Sequence, residues 1–303
     1  MSKRRITIVE VGPRDGLQSE PEILPTDSKV TFIEKAIDAG IRRLEVASFV
    51  HPKLVPQMAD AEALIEKLPQ RDDVSYIGLI MNERGLDRAL TTRIHEIGMI
   101  VVASDTYNRK NQGVGTDESV AAWRTIGKRA QENGLRANVM ISSAFGCPYE
   151  GEVKVERVVE LAKQVVDAGP AELGIADSIG VAVPDQVADL LGRVKDVIGD
   201  IPLRCHFHNT RNIGLANAQA AVVAGVTYLD ASIGGIGGCP FAPAATGNIP
   251  TDDLLYMLDR SGVRTGVSLE KIIAVSQWLE QELGRGVPAL LPKAGGFPTG
   301  QAA

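Results

Sequence analysis

The chain has 303 residues, 44% of them apolar, with 38 acidic against 32 basic side chains and a net charge of −6. Such a chain buries a large core and is no disordered tail, and its acidic balance gives no broad attraction to a phosphate backbone, so nucleic acid is not an expected partner. Met1-Ser2-Lys3-Arg4-Arg5 lacks the apolar core of a signal peptide, no segment has the roughly eighteen apolar residues of a membrane span, and Cys147, Cys205 and Cys239 are too scattered for a disulfide framework; no membrane partner and a reducing, cytoplasmic setting are expected.

Eight short runs rich in Val, Ile and Leu recur, at 6–11, 43–48, 76–80, 100–104, 137–142, 172–176, 203–208 and 228–233, and each is followed by a stretch of helical period. Amphipathic segments at 27–39, 57–68, 117–133, 155–168 and 185–198 lie between them, and Gly40, Gly134, Gly169, Gly199 and Gly225 stand where a helix needs a left-handed residue to end. This alternation, with no GxGxxG after the first strand, predicts an α/β fold, a closed (β/α)8 TIM barrel rather than an open doubly wound sheet. Helices at 254–259 and 269–283 and a Gly/Pro tail at 288–303 complete a single domain, 1–303, with the barrel over about 5–262 and the C-terminal helices and tail over 263–303.

In such a barrel the chemistry belongs at the carboxyl ends of the strands. After the first strand stand Arg14 and Asp15, in Val11-Gly12-Pro13-Arg14-Asp15-Gly16-Leu17-Gln18. The seventh ends Cys205-His206-Phe207-His208-Asn209, and the period of two turns both imidazoles to one face, a chelating geometry. The eighth runs into Gly234-Gly235-Ile236-Gly237-Gly238-Cys239-Pro240-Phe241 and then Ala245-Thr246-Gly247-Asn248. Glycine density of this kind means a loop that moves or lies close to a ligand, and a thiol on it, Cys239, can approach a substrate as proton donor or nucleophile. Glu45 is a carboxylate inside an apolar strand and needs a cationic or metal partner, with Arg14 the candidate. Asp177 is a similar case, or equally a helix cap; Cys147 reads as loop structure.

These motifs together resemble the 3-hydroxy-3-methylglutaryl-CoA lyase family, within the barrel superfamily that also holds isopropylmalate and homocitrate synthases. The resemblance runs over nearly the whole chain, through Val11–Gln18, Glu45-Val46-Ala47-Ser48-Phe49-Val50, Gly146-Cys147-Pro148-Tyr149-Glu150-Gly151, His206-Phe207-His208, the glycine loop and Gly247-Asn248. It implies a pyruvate-carboxyltransferase-like barrel domain in which Asp15, His206, His208 and Asn248 ligate a divalent cation, Mg²⁺ or Mn²⁺. Arg14 and Glu45 would work beside the cation and Cys239 would be the catalytic thiol. Asn111 would contact substrate, as Arg14 does, with Tyr149 a further candidate; the partner would be an acyl-CoA, and the assembly a homodimer. The implied reaction is cleavage of 3-hydroxy-3-methylglutaryl-CoA to acetoacetate and acetyl-CoA, its base a carboxylate, Asp15 or Glu45, or a water on the cation.

Three positions depart from the family pattern: Asn209 where an Asp is common, Asp252 where Glu is common, and Gly174-Ile175-Ala176-Asp177-Ser178 in place of a Gly-Asp-Thr form. They make a lyase for a related acyl-CoA, such as citramalyl-CoA with pyruvate as product, the alternative. A synthase of the superfamily would carry a long C-terminal regulatory region, and a catalytically silent CoA-ester-binding barrel would not need the full residue set.

Overall fold

The structure is a computed structural model; it describes residues 4–239 and 242–298, with the backbone alone at 239 and 242–245. Eight parallel strands close into a barrel: β1 (Thr7–Glu10), β2 (Arg43–Ser48), β3 (Ser75–Ile80), β4 (Glu96–Val102), β5 (Arg136–Ser142), β6 (Glu172–Asp177), β7 (Leu203–Phe207) and β8 (Tyr228–Ala231). Each pairs with its neighbours in sequence, and β1 closes the ring on β8, with Thr7 opposite Tyr228 and Glu10 opposite Ala231. The expected (β/α)8 barrel is the fold observed.

The helices wrap this barrel because each has one apolar stripe. Helix α1 spans Thr26–Asp38, α2 Ala61–Lys67, α3 Glu83–Ala89, α4 Asp105–Gln112, α5 Thr116–Glu132, α6 Val155–Val166, α7 Pro184–Ile198 and α8 Gly214–Val223. In α6 the buried residues are Val158, Leu161, Ala162 and Val165, the spacing of a single helix face. Helices α9 (Thr251–Arg260) and α10 (Leu269–Leu283) follow the last strand, and a short α11 (Leu291–Ala294) lies within what the sequence marked as tail.

Two segments differ most from expectation. Strand β4 starts at Glu96, four residues before the predicted 100, because Glu96 and Gly98 interrupt the apolar run that marks a strand. Glu96 points inward to an arginine, so tertiary pairing supplies what hydropathy lacked. The segment predicted as one helix over 57–68 is a 3₁₀ turn, Pro56–Met58, followed by α2.

Inside the ring the contents are mostly polar. Val9, Val11 and Ile77 form a small apolar cluster with Tyr228 against it. Arg43, Glu45, Glu96, Asn138, Glu172, Arg204 and Asp230 are also buried, and their strands place most of them in the barrel interior, while the main apolar core lies between strands and helices.

Candidate active site

The chain leaves β1 through one turn of π-helix, Gly12–Gly16, in which the amides of Arg14, Asp15 and Gly16 all return to the Val11 carbonyl at 3.2, 2.7 and 3.2 Å. This wide turn sets two successive charged side chains side by side at the rim. Arg14 Nη1 donates to Asp15 Oδ1 at 2.7 Å, and the same guanidinium grips Glu45 on β2. Ligand atoms of Asp15, His206 and His208 lie within 4.8 Å of one another. An isolated bridge between His208 and Asn248 brings the amide of Asn248 to the same point, where its Nδ2 donates to Asp15 Oδ2 at 2.9 Å and to the Ile236 carbonyl at 3.2 Å.

The donor set fits a divalent cation because its lone pairs are left over. Both neighbours of the Asn248 amide are acceptors, so its NH₂ must face them, and Oδ1 remains buried with no hydrogen-bond partner. The Nδ1 of His208 is likewise buried and unpartnered. Asp230 Oδ2 sits 3.1 Å from His206 Nδ1, which fixes that ring with Nε2 free to ligate, the usual outer support of a metal-binding imidazole. Buried polar atoms are rarely orphaned without a reason; two imidazoles with two oxygen donors suit Mg²⁺, Mn²⁺ or Zn²⁺.

Electrostatics agree. Burial, with His206 alongside, pushes His208 down to about 3, so it is a neutral ligand at neutral pH. Burial works against the Asp15 carboxylate and against protonated His206. Arg14 and the two histidines nevertheless hold Asp15 well below the usual range, and the Asp230 hydrogen bond raises His206 above its own. Below the rim runs a continuous chain of buried ion pairs: Asp15–Arg14–Glu45–Arg204, then Arg204 with Asp230 and Glu172, and Glu172–Arg43–Glu96. Even with Arg136 added at its lower edge, four guanidinium groups face five carboxylates, so the interior is left negative and a cation at the rim would be held by the whole network.

A cavity of about 500 Å³ opens over this centre, lined by Arg14, Asp15, Glu45, His206 and His208 and reaching Asn111 at one wall. Tyr149, the other proposed substrate contact, does not line it. That residue is 46% exposed and stands edge-on to Tyr107, 5.8 Å between ring centres, with the Lys110 ammonium 4.9 Å over its ring. Gly238 belongs to the lining and the backbone of Cys239 pairs with Ala242, but the Cys239 side chain lies outside the described residues. Asp177 accepts the amides of Val181 and Ala182 at 3.0 and 2.9 Å, in the loop that precedes α7 rather than within the helix. The Cys147 thiol donates to Ser104 Oγ at 2.9 Å.

Of the three departures from the family pattern, the 174–178 stretch borders the cavity through Gly174, Ala176 and Ser178, with Ala176 opposite His206 on the neighbouring strand, and the other two, Asn209 and Asp252, turn to other partners. Asn209 Oδ1 accepts the Gly214 amide at the start of α8, and Asp252 accepts the Gly234 amide at 2.8 Å and the Ser276 hydroxyl at 2.6 Å, behind the glycine loop. Neither lines the cavity. Sequence reading missed Asp230, Arg204 and Glu10, although each is a charge inside an apolar strand, the same signal that singled out Glu45.

A parallel barrel with imidazole, carboxylate and amide donors converging at its carboxyl rim defines a metal-site barrel enzyme. A model of the HMGL-like family matches residues 5–279, so the chain belongs to that family, and it is a carbon–carbon lyase. It is 43% identical over 300 residues to the (R)-citramalyl-CoA lyase of Chloroflexus aurantiacus, covering 96% of this chain and 95% of that one. It is 39% identical over 286 residues to the hydroxymethylglutaryl-CoA lyase YngG of Bacillus subtilis, covering 94% and 96%. The structure of an HMG-CoA lyase from Acinetobacter baumannii in complex with coenzyme A and 3-methylmalate superposes with a TM-score of 0.93 at 36% identity, covering 99% of this chain and 98% of that one. No helix among the described residues is long and apolar enough to cross a membrane.

Proposed function

We propose that the protein cleaves 3-hydroxy-3-methylglutaryl-CoA to acetoacetate and acetyl-CoA, with Asp15, His206, His208 and Asn248 as ligands of Mg²⁺ or Mn²⁺. The observation that carries this reading is the set of uncommitted donor atoms, Asn248 Oδ1 and His208 Nδ1 among them, beside Arg14 at the mouth of the cavity. When bound, the cation would polarise the tertiary hydroxyl of the substrate and lower its pKa.

The residues divide the remaining work. A carboxylate at the rim, Asp15 or Glu45, takes the hydroxyl proton. The C2–C3 bond then breaks, its electron pair moves into the thioester to give the enolate of acetyl-CoA, and the C3 oxygen becomes the ketone of acetoacetate. Arg14, held rigid between Asp15 and Glu45, offers fixed donors to the oxygen on which negative charge develops. Cys239, carried by the glycine loop, returns a proton to the enolate carbon, and Asn111 contacts the acyl-CoA from the cavity wall. We place the enzyme in the cytoplasm as a homodimer.

A second reading, cleavage of citramalyl-CoA to pyruvate and acetyl-CoA, is consistent with the 43% identity to the Chloroflexus enzyme. The two substrates differ by one methylene between the carbinol carbon and the distal carboxylate, and both present a hydroxyl and a carboxylate to the same centre. Incubating the purified protein with each thioester, with Mn²⁺ or with chelator, decides: acetoacetate released at the higher kcat/KM supports the first reading, pyruvate the second, and no cation-dependent release of either oxo acid refutes both.

A further inference from the structure

Glu10 is fully buried on β1 and makes no ion pair among the described residues, yet all its donors come from segments that carry site residues. Oε1 accepts the Gly12 amide at 2.9 Å, at the first residue of the π turn that holds Arg14 and Asp15. The same oxygen accepts the Ile233 amide at 2.8 Å, where the chain enters the glycine loop. Oε2 accepts the Thr251 hydroxyl at 2.7 Å, at the first turn of α9 and three residues beyond Asn248. Close packing leaves these segments little slack: a Cβ on Gly12 would lie 2.6 Å from Glu10 Oε1, one on Gly16 2.7 Å from Ile236, and one on Gly237 2.7 Å from Asn248 Nδ2.

A carboxyl group buried without a cation is costly, and an apolar side chain would pack β1 equally well. What the carboxyl adds is a three-way tie. We infer that Glu10 is a positioning residue that fixes the ligands Asp15 and Asn248 and the glycine loop relative to one another. It touches no substrate; it acts by setting the spacing of donors that arrive from opposite ends of the chain. Asp252, on the Gly234 amide, supports the same loop from the outer side.

The inference rests on the proposed cation site, so its test reads cation binding rather than turnover alone. Mn²⁺ binding to the metal-free protein is measured by calorimetry for the wild type, Glu10→Gln, Glu10→Met and Thr251→Val, alongside thermal unfolding, kcat and KM. Glu10→Met should weaken Mn²⁺ binding by about 10- to 100-fold and lower kcat more than it changes KM, the usual range for losing a group that orients metal ligands. Glu10→Gln keeps an acceptor for both amides and can donate to Thr251, and should restore affinity to within about threefold. Folded Glu10→Met with wild-type Mn²⁺ affinity would overturn the inference. If that variant does not fold, Thr251→Val, which removes one arm of the tie, should lose affinity by several-fold, and wild-type affinity there overturns it equally. Failure of the wild type to bind Mn²⁺ would instead bring down the cation reading, and this inference with it.

Discussion

In the lower barrel, Arg43 gives hydrogen bonds to both Glu96 and Glu172, Arg204 clasps Asp230, and Asn138 donates to Glu96. At the rim, His208 and Asn248 are also buried, yet each keeps an atom without a hydrogen-bond partner. The same kinds of polar side chain thus do two different things in one barrel. Below, the charged groups are paired into a scaffold, although Asn138 Oδ1 has no hydrogen-bond partner; at the rim the unbonded atoms lie beside the Asp15, His206 and His208 cluster, where the proposed cation would be held. Asp230 joins the regions, bonded to Arg204 below and His206 above.

The comparison can be broken by experiment, and the largest effect belongs to the rim. Chelation should abolish turnover and Mn²⁺ restore it, read as release of oxo acid. Among substitutions, Cys239→Ala and Arg14→Met should each lower kcat by on the order of 10² to 10⁴ while the fold, followed by circular dichroism, is kept. Near-normal turnover in either would remove it from the role assigned above.

In the scaffold the expected loss is stability. Arg204→Met leaves Asp230, Glu172 and Glu45 short of a cation and should cost about 3–5 kcal/mol in urea unfolding, the range for stripping one partner from a buried ion pair. A cost near zero would mean that the network is not the scaffold described. The smallest effect sharpens the contrast from the other side: His208→Ala, measured without metal, should cost about 0.5–3 kcal/mol, the loss of a buried ring's packing alone, because its Nδ1 makes no bond to lose.

A pH series probes the carboxyl tie. Burial raises Glu10 to about 8 against the hydrogen bonds from Thr251, Ile233 and Gly12, and burial raises Asp252 to about 6. Both lie above the values of an unfolded chain, so the folded state holds protons that the unfolded state releases. The resulting stability is fully present below the unfolded carboxyl range, near pH 4, and is lost as pH rises through about 6 for Asp252 and about 8 for Glu10. Between those limits Glu10 should contribute a slope of up to ~1.4 kcal/mol per pH unit, absent in Glu10→Gln.

Much of the rim was legible in the sequence because its residue types are rare and stand where strands end: His206 and His208 on one strand face, Arg14 and Asp15 next to a Pro-Gly turn. The scaffold below was not. Arg43, Glu96, Glu172 and Arg204 look like ordinary surface charges until the barrel closes and turns them toward one another, and Glu96 obscured the start of its own strand. Tyr149 followed a loop motif, and the loop carries it to the surface beside Tyr107. Asn209 adjoins His208 and Asp252 follows Asn248 by four residues, yet Asn209 turns to the Gly214 amide and Asp252 to Gly234 and Ser276, contacts that nothing in the local sequence announces.

The hydrogen bond between Asp15 and Asn248 joins positions 233 residues apart. A ribosome must therefore deliver the chain past its eighth strand and the glycine loop before the proposed cation can find its full set of ligands, and a chain stopped short of Asn248, however well its early strands associate, would offer metal only an incomplete shell. With the ligand set proposed above, ion capture would report that synthesis has passed Asn248.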